Sequence, residues 1–246
     1  MTMPRVVVAE SLDGLSEADP AAVRSRRDLQ RVHLAMGTRA IVRRALNDMA
    51  QDRGETAPWR VLELGAGDGS LMLGVARAIA PGPAWRHAEI TLLDRQSLID
   101  DAMIQRYAAL GWRATARVAD VLDWAAESTD FRPRWDLIVA NLFMHHFDAA
   151  QLAELLAAVA SRADRFFACE PNRGWLALAG SRLVGVIGAN AVTREDAVLS
   201  VRAGFRVDEL SSMWPARSAE WQLREYSAGL FSHCFRAERL GAFNAR

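Results

Sequence analysis

The sequence predicts an α/β fold, a mostly parallel sheet flanked by helices and preceded by helices of its own. Three observations predict it. After Pro58, short apolar runs alternate with amphipathic helical segments. The first apolar run ends in a glycine-rich turn, Gly65-Ala66-Gly67-Asp68-Gly69. Carboxylates then stand at the ends of the next two runs, Asp94 and Asp120.

Residues 1–20 mix Pro, Gly, Ser and acidic residues without a sustained period, and read as an arm or loose lead-in. From Pro20 to about Ala50, Leu29, Val32, Met36, Ala40, Ile41, Leu46 and Met49 recur at helical spacing, so two helices are expected with a break near Gly37. The basic residues Arg24, Arg26, Arg27 and Arg31 share that stretch, but Asp28 interrupts them. A solvated helix face is the expectation, not a phosphate-binding patch.

Strands are expected over residues 60–64, 89–93, 116–118, 137–140 and 166–169, with helices over 70–80, 97–110 and 149–160 between them. Asp148 followed by Gln151 suggests a capping box for the last of these. The apolar, glycine-containing segment 174–191 interrupts the alternation and reads as an insertion over the site. A helix over 194–203 and a strand over 205–210 resume it, and strand character returns over 230–238. Trp214, Trp221 and Tyr226 fall in the connection between them. The expected division is 1–57 as arm and covering helices, and 58–246 as the main domain.

Composition narrows the function. The chain has 246 residues, 51% of them hydrophobic, enough for one full α/β domain. Lys+Arg and Asp+Glu both number 30, so no field of one sign exists to attract nucleic acid or an anionic membrane. Cys169 and Cys234 lie far apart and match no zinc spacing, which fits a reducing compartment. No apolar run reaches the roughly 18 residues that a membrane span needs. A cytoplasmic protein without a membrane or nucleic-acid partner is the expectation.

The glycine turn implies a ligand close to the backbone, because glycine permits positive φ and carries no Cβ to hold the ligand away. A dinucleotide fingerprint would place a third glycine where Ser70 stands. Glu63, two residues before Gly65 and inside the strand, would repel a pyrophosphate and attract an amino or sulfonium group. A nicotinamide oxidoreductase is disfavoured on both counts.

The segment Glu63-Leu64-Gly65-Ala66-Gly67-Asp68-Gly69 resembles the first motif of class I S-adenosylmethionine-dependent methyltransferases, and the resemblance runs in order over residues 59–171. It implies a Rossmann-like methyltransferase sandwich with a seven-stranded, mostly parallel sheet and an antiparallel C-terminal strand. It also implies S-adenosyl-L-methionine as cofactor, held by Glu63, Gly65, Ala66, Gly67, Gly69, Asp94, Arg95, Asp120, Val121, Asn141 and Leu142. In that reading Asp94 takes the ribose hydroxyls, and Asp120-Val121 holds adenine. Taken singly, Asp94 could be a helix N-cap and Asp120 a turn residue.

Methyl transfer is an in-line displacement, so a base is needed only for a protonated acceptor. His145 and His146, just past the fourth strand, are the candidate catalytic pair, although one could instead cap the next helix or pack in the core. The Asn/Asp-Pro-Pro-Tyr/Phe motif of nucleobase and amide methylating relatives is absent after Asn141, and no magnesium loop of the catechol type is present. The resemblance therefore implies a small organic acceptor, a hydroxyl of an aromatic or polyketide-like metabolite of secondary metabolism. No metal is implied, and a homodimer is left open. Arg173, Arg182, Asn190, Trp214 and Trp221 are candidates for lining the acceptor pocket, with burial in the core the better expectation for the tryptophans. The alternative is an inactive cofactor-binding protein that acts through a partner.

Overall fold

The computed structural model describes residues 3–51, 57–128, 134–215 and 220–240. A seven-stranded sheet runs in the order β3-β2-β1-β4-β5-β7-β6. Its strands are β1 (Trp59–Leu64), β2 (Ala88–Asp94), β3 (Trp112–Val118), β4 (Leu137–Asn141), β5 (Arg165–Pro171), β6 (Trp221–Ala228) and β7 (Ser232–Arg239). The pairs from β3 through β5 are parallel, and β7 runs antiparallel to both its neighbours.

The central strands are apolar because both faces are covered. Val61, Leu137, Val139 and Phe167 enter one core layer, beneath α3 (Thr38–Met49), α4 (Ser70–Ile79) and α5 (Asp101–Ala108). Their alternates Leu62, Ile138 and Phe166 enter the other, with α6 (Val121–Ala126) and α7 (Ala149–Arg162). Chain order reverses between β1 and β4, so a crevice opens beyond their carboxyl ends. That crevice is where Glu63, the glycine turn and Asn141 meet.

The two expected N-terminal helices are α2 (Pro20–Met36) and α3, with Gly37 between them at φ 67°. The capping box is also present, Asp148 accepting from Gln151 N and Gln151 reaching back to Asp148 N. The lead-in is not loose, however. It carries a short α1 (Ser11–Gly14) and docks across α9 (Ala191–Ala203) through Val6 N to Arg202 O at 3.1 Å. Arg5 bonds the carbonyls of Ala203 and Phe147 at 2.8 and 2.9 Å. The Asp196 carboxylate accepts from the Ser11 and Leu12 amides at 2.8 and 3.0 Å.

Two expectations fail near the C-terminus. The strand expected over 205–210 is one isolated bridge, Asn172 to Phe205, followed by α10 (Glu209–Met213). Asp208 at φ 71° turns the chain, and Glu209 accepts from Arg206 N. The connection holding Trp221 and Tyr226 is instead the strand β6. Inward-facing Glu225 pairs with the buried His233 at 2.7 Å, so a carboxylate breaks the apolar alternation by which a strand is recognised in sequence. Boundaries also move. β3 starts at Trp112, its polar alternates facing outward, and α5 starts after its N-cap Asp100. α9 starts three residues early, capped by Asn190.

Candidate functional site

The three glycines of the turn all have positive φ, 68°, 55° and 72° at Gly65, Gly67 and Gly69. They differ in what a Cβ would meet. At Gly65 it would lie 2.2 Å from Phe143 Cδ2, while at Gly67 no atom of the described residues lies within 4 Å. Gly67 thus presents bare backbone to open space, as an approaching ligand requires. The turn is fastened on both sides. Asp94 Oδ2 accepts from Gly67 N at 2.8 Å, and the buried Tyr107 hydroxyl donates to Gly69 O at 3.0 Å.

Behind the turn, Glu63 is buried, and among the described residues its Oε2 has no hydrogen-bond partner; neither do Nδ2 and Oδ1 of Asn141. Burial pushes the Glu63 carboxyl up to about 8, with the Asp68 and Asp94 charges adding to the rise and the adjacent Asn141 amide opposing it. Buried polar atoms without partners are uncommon and costly. Leu142 follows with φ 51°, a strained conformation for leucine, its amide bonded to Cys169 O at 2.9 Å.

A cavity of about 470 Å³ begins here. Its floor includes Glu63, Gly65, Ala66, Gly67, Asn141 and Leu142, and it extends to His145 and His146. Its roof is apolar: Leu29, Val32 and Met36 from α2, Ala177 from α8 (Trp175–Arg182), and Leu183 and Ile187 just beyond it. Several residues of the segment 174–191 thus border the cavity. Among the remaining expected residues, Gly69, Asp94, Arg95, Asp120 and Val121 do not border this cavity. Asp120 caps α6, accepting from Leu122 N at 2.7 Å, and Val121 is buried in the core. Arg95 pairs with Asp13 at 3.0 Å.

None of the five residues expected to line the acceptor pocket borders the cavity. Arg173 is buried and tied to Glu209, Gly204 O and Met3 O. Asn190 links α2 to α9 by bonding Ala21 O and Thr193 N. Arg182 is exposed, whereas Trp214 and Trp221 are core residues that meet edge to face, centroids 5.0 Å apart.

At the far end of the cavity the two histidines differ. His145 is buried, with Nδ1 2.7 Å from Glu170 Oε2 and Nε2 3.3 Å from Glu10 Oε1. Glu170 also accepts the amides of Phe143 and Met144, at 3.1 and 3.0 Å, which fixes the turn after β4. Burial lowers the His145 pKa, but the hydrogen bonds and charges of Glu10 and Glu170 outweigh it and raise it to about 9. His146 is half-buried, its Nδ1 3.1 Å from Asp13 Oδ2. His33, also on the cavity wall, is pushed down to about 4 by burial.

Glu10, Asp13, Glu170 and His33 were not singled out from the sequence. Glu10 and Asp13 sit in the lead-in, and His33 falls inside an ordinary amphipathic helix. Only Glu170, an acid ending the apolar run Phe166–Cys169, carried a local signal.

Solved structures share this architecture. The plantazolicin methyltransferase BpumL in complex with SAH superimposes at a TM-score of 0.59 with 13% identity, over 90% of this chain and 91% of that one. The fold is that of class I S-adenosylmethionine-dependent methyltransferases. Magnesium protoporphyrin IX methyltransferase from Synechocystis PCC 6803 with bound SAH gives 0.51 and 14%, over 93% of this chain and 90% of that one. An O-methyltransferase family protein from Burkholderia thailandensis gives 0.56 and 17%, covering 90% of this chain and 61% of that one. No protein-family model and no curated protein sequence matches the chain. Among the described residues, no helix is long and apolar enough to cross a membrane.

Proposed function

We propose that this chain transfers a methyl group from S-adenosyl-L-methionine to a hydroxyl of a small aromatic or polyketide-like acceptor. The observation that carries this reading is the buried Glu63 carboxyl, whose Oε2 has no hydrogen-bond partner among the described residues, beside Asn141 at the floor of a cavity that the Gly67 backbone also faces. A buried carboxylate oxygen with no partner among the described residues, beside the bare backbone of Gly67, suits a ligand that brings positive charge and hydrogen-bond donors. S-adenosylmethionine, with its sulfonium and ammonium groups, is such a ligand. SAH is bound in the two named methyltransferases that share the fold over most of their length.

In this reading Glu63, Asn141, Leu142 and the turn Gly65–Gly69 hold the amino-acid half of the cofactor. The sequence resemblance assigns the nucleoside half to Asp94, Arg95, Asp120 and Val121, which stand outside the cavity lining. The apolar roof from α2 and α8 favours a flat acceptor with little charge, and His145 and His146 meet its polar end. An acceptor hydroxyl would give up its proton through His146 to solvent, and its oxygen would then attack the methyl group that the cofactor supplies. Bound there, the cofactor would supply the methyl carbon and a sulfonium leaving group able to take the electron pair of the C–S bond. Orientation and exclusion of water by the roof supply much of the acceleration.

The decisive assay incubates the chain with methyl-labelled S-adenosylmethionine and a panel of phenols, hydroxyquinones and aromatic polyketides. Label in an extractable product supports the reading. Cofactor binding with no label across the panel favours the inactive cofactor-binding protein instead.

A further inference from the structure

The geometry points to a binding site for one divalent transition-metal ion at the acceptor end of the cavity, with Glu10, His145 and His146 as its protein ligands. Each of these side chains offers a donor atom, and the three donors lie within 4.8 Å of one another. The 3.3 Å between Glu10 Oε1 and His145 Nε2 is close to the edge length of a tetrahedral or octahedral shell with bonds of about 2.1 Å. One ion placed between them needs only small side-chain movements.

The groups behind the ligands fit as well. A metal-bound histidine usually donates its other N–H to a carboxylate, which fixes the tautomer and makes the ligand more basic. Glu170 stands in that position for His145, at 2.7 Å from Nδ1. His146 has a carboxylate of its own in Asp13, and Glu10 is steadied by the Ser200 hydroxyl.

Two imidazoles and one carboxylate favour zinc, iron(II) or cobalt over magnesium or calcium, which prefer all-oxygen shells. Three protein ligands leave positions open, and all three residues border the cavity. An acceptor oxygen bound there would ionise readily, its proton passing to solvent, and would then attack the methyl group. That role rests on the methyl-transfer reading; the ion site itself does not. Because Glu10 is 135 residues from His145 in sequence, the ion would also pin the N-terminal arm across the site.

The test uses the full chain without a histidine tag, stripped with a chelator and titrated with cobalt(II) and, separately, zinc(II). One ion per chain is expected, with visible ligand-field absorption for cobalt. Glu10→Gln and His146→Gln, both outside the packed core layers, should each weaken binding by about tenfold or more. Thermal midpoints check that both variants remain folded. Amide exchange across residues 5–13 should slow when zinc is added to the native chain. No ion bound below about 1 mM overturns the proposal. Unchanged binding in both variants overturns it too, because the ion then sits elsewhere. Calorimetry with S-adenosylhomocysteine on the same samples separates the two readings. Cofactor binding without an ion counts against the metal site alone, and an ion without cofactor binding counts against methyl transfer alone.

Discussion

The carboxylate of Glu10 stands 3.3 Å from Nε2 of His145, although 135 residues of chain separate them. The N-terminal arm therefore supplies part of the polar end of the cavity, and the two neighbouring histidines sit in different surroundings. His145 is buried between two carboxylates, whereas His146 is half-buried beside Asp13.

Replacing each histidine by Gln separates their contributions. His145→Gln should lower the thermal midpoint, because it leaves Glu170 buried without its charged partner, at a cost of about 3 kcal/mol. His146→Gln should leave the midpoint nearly unchanged. Both should reduce turnover of any acceptor found, by about a hundredfold or more, with cofactor affinity retained. Scanning calorimetry and steady-state kinetics read the two effects.

The glycine turn gives a second contrast. Gly67→Ala meets no atom of the described residues, so it should cost only about 1 kcal/mol of stability, from the strain of φ 55°. Yet its methyl group points into the space where the cofactor is proposed to lie, and affinity should fall by about tenfold or more. Gly65→Ala meets Phe143 and should lose considerably more stability. Denaturant melts and calorimetric titrations distinguish the two variants.

Glu63 should make stability depend on pH. Its folded pKa of about 8 lies above the usual value of 4.5, so between those limits the folded state holds a proton that the unfolded state has lost. The stability contribution is fully present below pH 4.5 and is lost as pH rises through 8. Glu63→Gln should abolish this slope and stabilise the cofactor-free protein near pH 8 by a few kcal/mol, roughly. Melting curves of both proteins between pH 5 and 9 in steps of about one unit measure it.

His33 acts in the opposite sense. Its folded pKa of about 4 lies below the usual 6.5, so the unfolded state takes up a proton first as pH falls. Its contribution is present above pH 6.5 and is lost as pH falls through 4. His33→Leu should flatten the acid side of the stability profile by roughly 1–3 kcal/mol. An unchanged acid limb would place that loss in other groups.

The sheet and the floor of the site were legible in the sequence because both are written locally. Val61–Leu64 and Leu137–Ala140 are apolar as central strands must be, and the glycine turn follows directly from its composition. What was hidden is held by contacts distant in sequence. Glu10 and Asp13 carry no periodic signal and gain their place only when the arm docks on α9. Likewise β6 was hidden by Glu225, whose partner His233 lies on the next strand. Residues expected to line the pocket, such as Arg173 and Asn190, satisfy backbone groups around it instead.

Isothermal titration with S-adenosylhomocysteine, run on the native chain and on Glu63→Gln, tests the cofactor assignment most directly. One site per chain, weakened about tenfold or more by the substitution, is the expected result. No measurable heat from the native chain up to millimolar ligand, or equal affinity in both proteins, would contradict it.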